Sequence, residues 1–166
     1  MILGMSTETF TLLHTIISLI GIVSGLVALS GLLTGKRLPG WTLLFLVSTV
    51  LTSVTGFPLS PFGFDPPRAI GTISLVVLAV ALFALYGKRL AGPWRWIYIA
   101  TALTAFYFNV FVGVVMAFRR IPVLQPLAPT QSEPPFIATE LIVLALFVIV
   151  GIVAAVRFHP ESRAQA

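Results

Sequence analysis

Cysteine is absent from this 166-residue chain, and charge is scarce, at 9% of residues. Without cysteine there is no disulfide, no thiolate nucleophile, no iron–sulfur cluster and no Cys-based zinc site. Histidine is almost as rare: His14 lies in an apolar run and His159 in the tail before Pro160. One chain therefore cannot supply two intramembrane axial ligands to a haem. The sequence contains no HExxH, no phosphate loop, no GxGxxG and no GxSxG pattern. No serine has a base at a spacing that would mark a catalytic pair. These absences favour a non-enzymatic role. They leave any cofactor unidentified and point to no metal: a set of His14, Glu140 and Asp65 has no local ligand spacing behind it.

What is present is apolar surface. Hydrophobic residues make up 58% of the chain, more than a soluble core of this length can hide. The matching solvent is a lipid bilayer. Five runs are long enough for a bilayer core of about 30 Å, which needs roughly 20 apolar residues in a helix. They cover about 9–33, 41–57, 69–86, 93–118 and 135–158. The expectation is one all-α integral membrane domain over 1–166, a polytopic bundle of five spans. Gly35 and Gly87 suit helix C-caps, and Pro93 and Pro135 suit first turns. Ahead of the first run the only charge is Glu8, so the basic start of a secretory signal is missing.

The ten Lys and Arg residues are scattered in pairs between the runs, so a net charge of +5 does not mark a nucleic-acid surface. They do set a direction. With the N-terminus outside, the inner side holds seven of them (Lys36, Arg37, Lys88, Arg89, Arg95, Arg157, Arg163) and the outer side three (Arg68, Arg119, Arg120). Positive residues favour the inside, so the chain is expected to run N-outside, C-inside. Trp41, Trp94 and Trp96 then fall at the inner boundary, as an aromatic belt does. GKRLPGW (Gly35–Trp41) echoes in GKRLAGPW (Gly87–Trp94), both on that inner side. Two tandem hairpins would explain the echo, but the flanking helices barely match, and convergent basic turns explain it more simply.

Polar side chains inside a span need a reason. Counting about 1.5 Å per helical residue from the outer ends places His14, Thr49, Thr52, Asn109 and Glu140 in the outer half. They are the candidates for an outward polar pocket. A histidine and a carboxylate can exchange a proton between about pH 5 and 8. Each also has a structural reading: His14 bonded near a helix end, Asn109 as interhelical glue, Glu140 at a positive helix start, the threonines bonded to their own backbone. Gly21 and Gly25 form a small-xxx-small pair that lets another helix approach, from the same chain or from a second copy.

Two proline-bearing loops face outward. FPLSPFGFDPPRAIG (Phe57–Gly71) has Phe57, Phe62 and Phe64 to cap the bundle, and Asp65 beside Arg68 as a pair. FRRIPVLQPLAPTQSEPPF (Phe118–Phe136) holds five of the twelve prolines. Its Ser132 or Glu133 suits the cap of the last span, and Arg119 and Arg120 suit lipid phosphate or an acid. WRWIY, FNVFVGVV, TSVTGF and above all LAPTQSEPPF give the region from Thr42 to Phe158 a resemblance to a group of small multi-pass bacterial inner-membrane proteins. The resemblance implies that membrane and several spans, and brings no activity or site residue with it.

Three functions fit these residues. The first is an accessory or structural subunit of a larger membrane complex, partnered by lipid and by other subunits or a second copy. The second is a small-solute or proton-coupled carrier or channel using the outer pocket. The third is a binder of lipid, quinone or a single-histidine haem through His14 and Asn109.

Overall fold

A computed structural model describes residues 2–59 and 66–159. Five helices follow one another: α1 (Thr7–Leu33), α2 (Pro39–Gly56), α3 (Pro66–Leu82), α4 (Trp94–Arg120) and α5 (Pro134–Arg157). They begin at residues 7, 39, 66, 94 and 134, where the sequence suggested 9, 41, 69, 93 and 135. All five, with α2 prolonged to Leu59 and α3 to Gly87, are long and apolar enough to cross a bilayer. The chain is a multi-pass membrane protein. A helix satisfies its own backbone, the condition lipid imposes on a spanning segment.

The ends are fixed by local chemistry. The Ser6 hydroxyl accepts the Thr9 N–H at 3.1 Å and caps α1. At the other end Gly35 takes φ +71, and the Lys36 N–H reaches the Gly31 carbonyl at 2.8 Å, a Schellman closure. Gly87 does not act in the same way. There α3 widens into a π-helical turn over Phe83–Gly87, and the left-handed steps fall on Arg89, Leu90 and Gly92. The physical reason for the glycine is different: a Cβ on Gly87 would stand 2.9 Å from the Phe83 ring. The two echoing turns are thus alike in sequence and unlike in geometry.

Successive helices run antiparallel, so the bundle has an amino end, where α1 starts, and a carboxyl end, where α5 finishes. The largest interfaces join α1 to α2 and α3 to α4, and α4 touches every other helix. In its most apolar stretch α4 has 33% of residues buried, against 11% in α5, so α4 is the axis and α5 a peripheral helix. The main core lies mostly in the carboxyl half, where Leu46, Leu78, Ala81, Ala84, Leu85 and Ala154 are almost fully enclosed.

A smaller core orders the α4–α5 connection. Phe118, Ala128 and Phe136 are buried together, with the Phe118 and Phe136 rings 5.5 Å apart and edge-on. Glu133 occupies the N-cap position of α5, but its side chain does not cap the helix. It turns back to accept the Thr130 N–H (3.0 Å), the Thr130 hydroxyl (2.7 Å) and the Ser132 N–H (3.0 Å). Desolvation raises its pKa, yet these hydrogen bonds together outweigh it and hold the carboxyl below its usual range. Arg119 and Arg120 stay exposed at the end of α4. In the other loop the Arg68 guanidinium donates to the Phe57 carbonyl at 3.3 Å. Phe62, Phe64 and Asp65 lie outside the described residues.

Candidate functional site

The polar layer begins at Gly21, halfway along α1. A Cβ there would meet Asn109 Nδ2 at 2.7 Å, Ser48 Oγ at 3.3 Å and Thr49 Oγ1 at 3.4 Å. Three helices therefore bring polar atoms to one point that only glycine leaves open. Ser48 and Thr49 donate their protons to the carbonyls of Leu44 (2.6 Å) and Phe45 (2.7 Å). Their lone pairs are what remains for the Asn109 amide. Asn109 is 8% exposed, and its Nδ2 is buried without a hydrogen-bond partner in the chain. By count along α4 it sits about 16 Å from Arg120 and about 22 Å from Trp94, close to mid-height.

An aromatic layer closes the bundle on the carboxyl side of Asn109. Phe106, one turn before Asn109 in α4, lies edge-on to Phe45 of α2 at 5.5 Å and to Phe147 of α5 at 5.1 Å. The fourth side is Gly25 of α1, where a Cβ would come within 2.7 Å of the Phe106 ring. The small pair thus serves two neighbours in this chain: Gly21 admits the polar layer and Gly25 the aromatic one.

Toward the amino end the remaining candidates separate. His14 Nδ1 lies 2.8 Å from Thr55 Oγ1, whose proton goes to the Leu51 carbonyl at 2.7 Å. A hydroxyl has one proton to give, so His14 donates through Nδ1. Thr52, one turn nearer the amino end than Ser48 and Thr49, keeps a buried hydroxyl oxygen with no partner. On α5 the residues facing the bundle are Phe136, Glu140, Phe147, Gly151 and Ala154. Glu140 is 8% exposed, and neither carboxyl oxygen has a hydrogen-bond partner. The antiparallel pairs Phe118–Phe136, Tyr107–Phe147 and Leu103–Gly151 set the register of α5 on α4. It puts Glu140 level with Val114, about 7 Å closer to the amino end than Asn109.

The sequence grouped His14, Asn109 and Glu140 as one pocket. The structure puts them at three junctions: α1 with α2, α1 with α2 and α4, and α5 against α4. What they share is the amino half; His14 is paired with Thr55, while Asn109 Nδ2 and the Glu140 carboxyl have no partner. Buried polar groups are nearly always paired, and an unpaired one costs about 1–3 kcal/mol. Thr52, Asn109 and Glu140 therefore form the least satisfied slab of the interior. Of the span-2 candidates, Thr49 is satisfied by its own backbone and Thr52 is not. Among the described residues no three His, Asp or Glu side chains are placed to hold a metal ion.

One site escaped the sequence. At the carboxyl end a small cavity opens between the α1–α2 turn, the π-helical turn of α3, the start of α4 and the residue after α5. Lys36, Arg37, Thr42, Tyr86, Tyr98 and Phe158 are among its walls. The GKRLPGW turn was its only signal, since the other walls come from distant positions. The second cavity is an open apolar groove along α1 and α2, from Ile16 to Leu44, of the kind lipid chains cover.

No protein-family model matches the chain, and no curated protein or solved structure is significantly similar to it.

Proposed function

We propose that the protein is an accessory or structural subunit of a larger assembly in a bacterial inner membrane, with its N-terminus outside. The observation that carries this reading is the closed middle of the bundle. Phe45, Phe106 and Phe147 stack across α2, α4 and α5, and Gly25 seats them against α1. A bundle packed in this way across four of its five helices is built as a scaffold more than as a conduit. The shallow seat of α5 supports the same role, because most of its apolar surface faces away from its own chain. The direction rests on the seven-to-three division of Lys and Arg, and the choice of membrane on the loop resemblance. Purification from native membrane in a mild detergent tests the reading. Co-migration with other chains at fixed stoichiometry is expected, and a lone monomer would overturn it.

A second reading, a proton-coupled or small-solute carrier, is favoured by the unpartnered atoms of Thr52, Asn109 and Glu140. Transport by this route requires the aromatic layer to part. Flux into liposomes that persists unchanged in His14→Ala, Asn109→Ala and Glu140→Ala would discard it.

A further inference from the structure

The carboxyl-end cavity has the makings of an anion site. Its floor is apolar and closed: Ala28, Leu32, Leu85 and Phe158 are each at most 8% exposed. Phe158 is pinned there by its carbonyl, which accepts a hydrogen bond from Arg95 of α4. One wall is Tyr98, 3% exposed, whose hydroxyl faces Thr42 of α2 and lies within electrostatic range of Tyr86 and Arg37. The mouth carries Lys36 and Arg37, both exposed. The Schellman closure at Gly35 fixes the backbone that presents them.

Charge sharpens the reading. Among the described residues no acidic one lines the cavity. Of the chain's five acids, Glu8, Glu133 and Glu140 belong to the amino half, and Asp65 and Glu161 lie outside the described residues. Two cations therefore meet over two hydroxyl-bearing walls, with no carboxylate beside them among the described residues. The cavity volume is about 40 Å³, room for a group of a few heavy atoms and too little for a nucleotide base and sugar. The neighbouring π-helical turn and the left-handed backbone at Arg89 and Leu90 are the kind of local strain that gathers at functional sites.

We propose that this cavity binds a phosphate group, held by Lys36 and Arg37 and bordered by the hydroxyls of Thr42 and Tyr98. Arginine and lysine bind phosphate oxygens through charge-assisted hydrogen bonds. Basic pockets between membrane helices hold anionic headgroups in this way. The phosphate can belong to a phospholipid or be free in solution, and the test distinguishes the two. This inference does not depend on whether the chain is a subunit or a carrier.

The full-length protein in an uncharged detergent is titrated separately with inorganic phosphate, phosphatidylglycerol and phosphatidylcholine. Melting temperature and native mass spectrometry are read for each. Phosphatidylglycerol is expected to raise the melting temperature and remain as a stoichiometric adduct. If inorganic phosphate does the same, the source is free phosphate; if only the lipid does, it is a headgroup. The double variant Lys36→Ala with Arg37→Ala should weaken binding at least about tenfold, the loss of one charge-assisted contact. Arg119→Ala with Arg120→Ala, at the opposite end, should leave it unchanged. Tyr98→Phe, which keeps the ring in place, should give an intermediate loss. Equal adducts in both double variants, or no adduct with either phosphatidylglycerol or inorganic phosphate, would overturn the proposal.

Discussion

The two halves of the bundle differ in how they are held together. The carboxyl half is close-packed around Leu46, Leu78, Ala81 and Ala84, each at most 1% exposed. The small cavity at its end has a basic mouth. The amino half is lined by hydroxyls, an amide and a carboxyl, and several of their atoms have no partner in the chain. Phe45, Phe106 and Phe147 form the boundary. A lipid solvent gives apolar surfaces little reason to associate, so shape complementarity and polar contacts must hold such helices together. The carboxyl half relies on the first; the amino half pairs only some of its polar groups across helices, His14 with Thr55 and Ser53 with Ser74. The expected consequence is a division of labour: the carboxyl half sets stability, and the amino half tolerates exchange of its polar groups.

Mutations can break this comparison at its boundary first. Phe106→Ala empties the centre of the aromatic layer and should cost about 3–5 kcal/mol in reversible unfolding from mixed micelles. Gly25→Ala drives a methyl group into the same ring and should cost about 1–3 kcal/mol, measured likewise. A neutral result for either would mean that the layer is not the structural centre. Exchanges in the amino half should be gentler. Glu140→Gln keeps the shape and loses no hydrogen bond to the chain, so stability should move by less than about 1 kcal/mol. A loss of several kcal/mol would show that the carboxyl has a strong partner.

The smallest effect is expected outside the membrane, at Glu133. Its hydrogen bonds to Thr130 and Ser132 depress its pKa in the folded chain. Its contribution is therefore full above the unfolded value of about 4.3 and fades as pH falls through the lower folded value. Melting followed across that acid range should show a step that Glu133→Gln removes. A step that survives the substitution belongs to another group.

Length and depth were legible in the sequence because the bilayer sets them. Twenty apolar residues between Pro or Gly punctuation can hardly be anything but a span, and the starts of all five lie close to expectation. The polar bias of the amino half followed from counting residues along each helix. Rotation about each axis was not legible. A span such as α5 is apolar on every side, so its pattern does not say which face meets protein and which meets lipid. That is why Asn109 could be placed in depth and not beside Gly21, and why Glu140 could be grouped with His14 without sharing its junction. The turn after α3 was misread for a local reason: Gly87 makes room for the Phe83 ring and does not take the left-handed step. The basic cavity draws its walls from stretches as distant as Ala28 and Phe158, and no motif records such a meeting.

The absence of cysteine offers a direct test of the boundary, because any single introduced thiol has no background. Thr52→Cys places one in the poorly satisfied amino half, and Ala102→Cys places one in the close-packed half beyond Phe106. With the protein in liposomes, a small water-soluble thiol reagent is applied to both faces. The account predicts reaction at position 52 and none at position 102 until the protein is unfolded. Equal reaction at both positions, or reaction at 102 alone, would contradict an aromatic layer that divides the bundle into two unlike halves.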